Sequence, residues 1–304
     1  MTVVDLNLRQ VGYLIAVVDE GHLGRAAERL FISPPALSQQ IRKLERHLGT
    51  ELLDRSAHPL CPTAVGERFL VEARLAIAAS ARAIDAVSAQ PHRLRLGFMT
   101  AAIGPATREF LRGLRTAYPE SDIELVELAW PEQATAVRRG VVDASLMRPP
   151  VADPTGLRFD TLCHERRVAA ISIDHPLAHR ESVTIDELDG LSHVTDDEAD
   201  AEWVRWWACD PRPSGRPVTY GPSVHTISEL MEVVATGEAI SITGELVPDA
   251  HRHPGVAFIP VADTEPSTLC LCTRADDVSP MVRAARAAAD QFSKTVRSAG
   301  ATPR

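Results

Sequence analysis

Ser38, Gln39, Arg42, Lys43 and Arg46 are residues whose types and spacing invite a particular chemistry. Side-chain amides and guanidinium groups pair with the edges of bases, and cationic groups hold phosphates. Residues three and four apart on a helix are neighbours, so these five side chains share one face if the segment is helical. Any solvated helix face is also polar, so side-chain type alone does not separate a nucleic-acid contact from plain exposure. The surrounding elements decide between them.

Leu8, Val11, Leu14, Ile15 and Val18 recur at helical spacing, and Gly21 closes the segment as a helix-ending glycine would. Leu23, Ala26, Ala27 and Leu30 make a short second helix whose alanines allow another helix to cross closely. Ser33 before Pro34 and Pro35 is a strong start signal for a third helix. The serine caps, the residue before proline is held extended, and proline is tolerated in a first turn. In that helix Leu37, Ile41, Leu44 and Leu48 form the inward stripe, which turns Ser38, Gln39, Arg42, Lys43 and Arg46 outward. A small alanine-bearing helix, a tight turn at Phe31 and Ile32, then a capped helix with an Arg/Gln face is the order of a helix-turn-helix.

The run from Arg25-Ala-Ala-Glu-Arg-Leu30 through Ile32-Ser-Pro-Pro-Ala-Leu-Ser-Gln-Gln-Ile-Arg-Lys-Leu-Glu45 to Leu48-Gly49 resembles the LysR-type transcriptional regulators. The likeness continues through Glu51-Leu-Leu-Asp-Arg55 and Leu60 to Pro62-Thr-Ala-Val-Gly66. It implies a winged helix-turn-helix over 1–62 that binds duplex DNA, with Ser33, Pro35, Ser38, Gln39 and Arg42 at or near the groove and Arg55 on the wing meeting phosphate. Arg25, Pro34, Lys43 and Arg46 complete the expected DNA-facing set. Two positions depart from the family pattern. Pro34 stands where a polar residue is common and Gly24 where a hydroxyl is common, which implies an altered base preference carried by Gln39 and Arg42.

Thr63 is placed to cap a long helix over 63–90, stopped by Pro91. Leu70, Ala73, Ile77, Ser80, Ile84 and Val87 repeat along it in heptad fashion, which suits a partner helix or packing on its own domain. The resemblance favours the partner, hence a homodimer reading two half-sites related by a two-fold axis, and dimers pairing into a homotetramer.

Beyond Pro91, strand-like Leu94–Met99, Ile123–Leu128 and Asp143–Met147 alternate with helical segments, which predicts α/β structure built on a parallel sheet. The resemblance implies a two-lobed, periplasmic-binding-protein-like effector domain over 91–304. Lobe one would be 91–161 plus 267–304, lobe two 162–266, and the hinge would lie near 159–162 and 260–268. A small molecule would bind between the lobes, an anionic metabolite by expectation, since backbone amides at strand-to-helix junctions attract anions. Thr100, Ala101, Trp130, Met147, Arg148, Thr195, Trp203, Thr226 and Thr243 stand at such junctions or nearby, and Thr100 with Arg148 would hold a carboxylate. Each also has a plainer role, since threonines cap helices and tryptophans such as Trp203, Trp206 and Trp207 pack cores.

The net charge of −9 resides wholly in 91–304, because acidic and basic residues balance in 1–60 and again in 61–90. DNA contact must therefore use local clusters rather than a basic body. No long apolar run suggests a membrane span or leader, so a cytoplasmic location is expected. The odd set Cys61, Cys163, Cys209, Cys270 and Cys272 lacks zinc spacing and reads as reduced thiols. No metal or cofactor is expected. Phosphate-binding glycine loops, nucleophile elbows and zinc-helix motifs are absent, which argues against an enzyme. A regulator sensing oxidation through cysteine is the main alternative, and a ligand-free architectural protein a lesser one.

Overall fold

Capping side chains decide where the first helices begin, in a computed structural model that describes residues 6–85, 93–99 and 104–300. The chain divides into two units, Met1–Ala89 and Gln90–Arg304. In the first, α1 (Leu8–Glu20) starts at Asn7, whose side chain accepts from the Arg9 amide at 3.0 Å, and ends at Gly21 with φ 60°. Helix α2 (Leu23–Arg29) starts at His22, whose Nδ1 accepts from the Gly24 amide at 2.9 Å. Helix α3 (Pro34–Leu48) has the expected Ser33 cap and a left-handed Gly49 at its end. Val11, Leu14, Ala26, Ala27, Leu37, Ile41 and Leu44 bury together as the core of this unit.

Two short antiparallel strands, β1 (Leu53–Asp54) and β2 (Cys61–Pro62), form the wing. Glu45 on α3 ties the wing down. Its buried carboxylate accepts from the Leu52 amide at 2.9 Å and the Leu53 amide at 3.3 Å, and pairs with Arg55 at 2.5 Å. Helix α4 (Ala64–Asp85) follows, with Thr63 Oγ1 accepting from the Gly66 amide at 3.0 Å. Gly66 is required there because a Cβ would lie 2.1 Å from the Leu52 carbonyl oxygen.

The heptad reading of α4 needs correction in its first half. Leu70 and Ala73 are buried in the core of their own unit, and Ile77 packs at its edge, because α4 crosses α1 with Arg74 bonded to Asp19 at 2.5 Å. Ile84, by contrast, is 63% exposed. Val87 lies outside the described residues.

The second unit has two lobes. Lobe one contains β3 (Arg93–Phe98), α5 (Pro105–Ala117), β4 (Asp122–Glu127), α6 (Gln133–Arg138), β5 (Ala144–Met147), β6 (Leu157–Glu165), β12 (Ser267–Arg274) and α10 (Pro280–Gly300). Its sheet has the order β4-β3-β5-β12-β6. Strand β3 runs parallel to β4 and β5, whereas β12, returning from the other lobe, is antiparallel to β5 and β6. The expected parallel sheet is thus a mixed one.

Lobe two contains β7 (Arg167–Ser172), β8 (Ser192–Thr195), α7 (Ala201–Ala208), β9 (Thr219–Ser223), α8 (Ile227–Ala235), β10 (Ser241–Gly244), α9 (Val247–Ala250) and β11 (Val256–Pro260). Strand β7 lies antiparallel between β10 and β11, while β8 and β9 pair in parallel. A bridge from His193 to Ile240 connects the two sets. The ladder of β6 with β12 holds as far as Glu165 opposite Ser267, and β7 starts at Arg167. Lobe one therefore reaches Glu165 rather than 161, and the first crossing falls at Arg166.

Replacing Glu45 with alanine should destabilise the first unit by about 2 kcal/mol, since two amides and Arg55 lose a charged acceptor. All four tryptophans lie in the other unit, so hydrogen exchange of the α3 amides is the suitable readout. Unaltered exchange would mean the wing is anchored by something else.

Candidate nucleic-acid interface and ligand cleft

On α3, Gln39, Arg42, Lys43 and Arg46 are exposed and Ser38 half-buried, while Leu37, Ile41 and Leu44 face inward. Pro35, Ser38, Gln39, Arg42, Arg46 and Arg55 line one concave surface between the helix and the wing. Arg55 is one-third exposed along its side chain and is held by Glu45. Helix and wing thus present amides and cations to one concavity, as groove contact requires. Ser33 caps α3 by accepting from the Ala36 amide at 3.4 Å, and Pro34 is exposed at its first turn. Arg25 lies apart from this surface, turned back to the carbonyl and carboxylate of Glu20 at the end of α1. Two residues that sequence reasoning missed hold α3 in place: Glu45, and Gln10, which donates to Gln40 at 3.0 Å.

A narrow cleft opens between the lobes of the second unit. Trp130 and Arg148 reach it from lobe one, and Thr195, Trp203 and Thr243 from lobe two. These five belong to the predicted set. Thr100 and Ala101 lie outside the described residues. Met147 is not a lining residue: it is buried against Leu128, Val142 and Cys272 beneath the sheet. Thr226 is not one either. It caps α8 in a reciprocal box with Glu229, its plainer role.

The expected use of Arg148 as an anion receptor also fails. Its guanidinium is buried and doubly engaged by Glu165, with Nη2 to Oε2 at 3.2 Å. Glu165 further accepts from Ser267 Oγ at 2.8 Å and from the Leu246 amide at 3.3 Å. A Cβ at Gly244 would lie 2.4 Å from that carboxylate, so the lobes meet closely there.

The tryptophans divide between two roles. Trp203 meets Trp130 across the cleft at 5.9 Å between ring centroids and Trp207 edge-on at 6.2 Å, and all three line the cavity. Trp206 instead carries the Arg167 guanidinium 3.4 Å above its ring. Sequence reasoning missed Met99, His193, Asp196, Trp207, Ile227 and Leu230 in the lining. Asp196 directly follows Thr195 at the end of β8, so the strand-end signal reached its neighbour. Nothing in the sequence marks His193, which only the bridge to Ile240 brings inward.

His193 is fully enclosed, its Nδ1 donating to the Val194 carbonyl at 2.7 Å and its Nε2 accepting from the Ile242 amide at 3.0 Å. Burial pushes its pKa down to about 4. Outside the cleft, the hydrogen bond between His225 Nε2 and Asp197 Oδ1 at 2.7 Å raises the His225 pKa. Asp196, Asp197 and His225 offer ligand atoms within 4.8 Å of one another, but the two outer groups already satisfy each other through a hydrogen bond.

Burial pushes Cys163 and Cys270 up to about 11 and Cys272 up to about 12, and raises Cys209 as well. Thiolate, the form oxidants attack, is therefore scarce at these four. Cys61 on the wing is exposed. Among the described residues no helix is long and apolar enough to cross a membrane.

Residues 8–67 match the family described as "Bacterial regulatory helix-turn-helix protein, lysR family", and residues 88–293 match "LysR substrate binding domain". The Hca operon transcriptional activator HcaR of Escherichia coli (strain K12) is 32% identical over 291 residues, covering 91% of this chain and 95% of its own. The HTH-type transcriptional regulator BenM of Acinetobacter baylyi (strain ATCC 33305 / BD413 / ADP1) is 25% identical over 278 residues, 86% of this chain and 88% of its own. Among solved structures, CbnR, a LysR family transcriptional regulator, superposes with a TM-score of 0.70 at 21% identity, covering 95% of this chain and 99% of that one. At that identity the likeness is one of fold.

Two outcomes are expected in the second unit. Arg148→Met leaves Glu165 buried and unpaired and should cost about 3 to 5 kcal/mol, while Arg148→Met with Glu165→Gln should recover a good part of it. Urea titration followed by tryptophan emission tests this, and equal stability of the single variant and wild type would overturn it. His193 takes up its proton only in the unfolded chain at mildly acidic pH. Stability should be complete above pH 6.5 and fall by about 3 kcal/mol as pH drops to about 4. His193→Gln should flatten that slope in the same titration repeated across pH.

Proposed function

Because the chain belongs to the LysR family of bacterial transcriptional regulators, we propose that it reads duplex DNA with the outward face of α3 and the wing, and takes its signal in the cleft between the lobes. It is a DNA-binding regulator of an effector-responsive, multimeric family, and not an enzyme. The observation that carries the site assignment is the concave surface where Gln39, Arg42, Arg46 and Arg55 come together. Lys43 stands exposed on the same helix. The charges of this unit balance overall, so affinity must come from the placement of these cations and from two-fold duplication.

Duplication through α4 would use its outer half. Leu70 and Ala73 are committed to their own core, so among the described residues Ser80 and the exposed Ile84, with Ile77 at the margin, are what remain of the seam. Ligand-driven closure of the lobes would shift the population of arrangements that the DNA-binding pairs adopt in a homodimer or homotetramer, and so change the bend of the DNA. A DNA partner supports a cytoplasmic location for this work.

The oxidation alternative has less support, since four of the five thiols are held back by burial. The test of the DNA face is Arg42→Ala, assayed by gel shift on a duplex selected from random sequence by the wild-type chain. Affinity should fall by about tenfold or more, as for loss of one two-point base contact. Unchanged affinity at physiological salt would remove α3 from the groove.

A further inference from the structure

Two of the residues lining the cleft carry a buried side-chain atom without a hydrogen-bond partner among the described residues, Asp196 Oδ2 and Trp207 Nε1. The Asp196 side chain is only 2% exposed. Its Oδ1 accepts from the Glu198 amide at 2.9 Å and the Ala199 amide at 3.1 Å, so a turn of the chain orients the carboxylate and leaves the second oxygen over. The imidazole of His225 stands 3.9 Å from Oδ1 and has its hydrogen bond with Asp197. Arg148, the guanidinium in the lining, is held by Glu165.

A buried carboxylate oxygen calls for a donor, and a cationic one best. Trp130, Trp203 and Trp207 surround the same space, and the faces of indole rings attract ammonium groups. An anionic ligand would meet Asp196 with Arg148 already neutralised. Resting on the reading of this cleft as the effector site, we propose that the effector is a protonated amine on a small apolar or aromatic body. Its ammonium donates to Asp196 Oδ2 among the tryptophan rings, and Trp207 Nε1 is left to donate to any oxygen the body carries. This class differs from the anionic metabolite that the sequence leads one to expect.

The test is tryptophan-emission titration of the full chain with three molecules of one shape: 2-phenylethylamine, 2-phenylethanol and phenylacetate. The amine should bind about tenfold or more tighter than the alcohol, and phenylacetate weakest, as for gain of one charge-assisted bond. Asp196→Asn keeps an oxygen for the Glu198 and Ala199 amides and replaces the other with a donor. It should weaken the amine by about tenfold or more and leave the alcohol within about threefold. Phenylacetate binding as tightly as the amine, no amine binding, or an unchanged amine affinity in the variant would each overturn the proposal. Should the variant not melt cooperatively, the order of the three molecules on wild type decides alone. Failure of the underlying reading looks different: amine binding that Trp203→Leu does not alter would place the ligand outside the cleft, whereas tight phenylacetate binding that Trp203→Leu abolishes would keep the cleft and remove only the amine.

Discussion

Glu165 is the last residue of β6, and its carboxylate is where the two lobes are joined. It takes Arg148 and Ser267 from lobe one and the Leu246 amide from lobe two, while Gly244 leaves room for it. A buried ion pair of this kind adds little net stability over an apolar substitute, because desolvation offsets the attraction. Its value lies in geometry. The carboxylate is satisfied only when both crossing strands are in register, so it specifies how β6 passes into β7 and how β12 returns.

That constraint sets the electrostatics of the cleft. By occupying Arg148 it removes the cation that the sequence seemed to offer an anionic ligand, and Asp196 becomes the charge left over. Trp130 meets Trp203 across the opening, a contact between lobes that a ligand seated among these rings would alter. A molecule that replaces ring-to-ring contact with contacts of its own binds one lobe arrangement better than another, which is what a shift in population requires.

The first unit uses the same device at smaller scale. Glu45, inside α3, accepts the Leu52 and Leu53 amides and pairs with Arg55, so the recognition helix and the wing are fixed to each other by one carboxylate. This is why a unit with no excess of positive charge can still offer an organised cationic surface. Arg55 is oriented by its partner, and Arg42 and Arg46 project from a helix whose inner stripe is fully packed.

Local signals in the sequence determined the helix-turn-helix. Gly21, Ser33, Pro34, Pro35 and Gly49 act on their own backbone and need no distant partner, and the spacing of Leu37, Ile41 and Leu44 dictates which face of α3 is buried. Strand-end positions such as Thr195 and Thr243 were legible for the same reason, since a strand and the helix after it are local events. What only the tertiary structure decided depends on residues far apart in the chain. Whether Leu70 and Ala73 face a partner or α1 is a matter of how α4 crosses its own unit, and a heptad pattern is the same either way. Whether Arg148 is free depends on Glu165, and that Asp196 Oδ2 is left without a hydrogen bond among the described residues depends on how segments far apart in the chain pack around the end of β8. Packing sets the desolvation and pairing of a charge, and packing is written in contacts between segments rather than in the spacing within one.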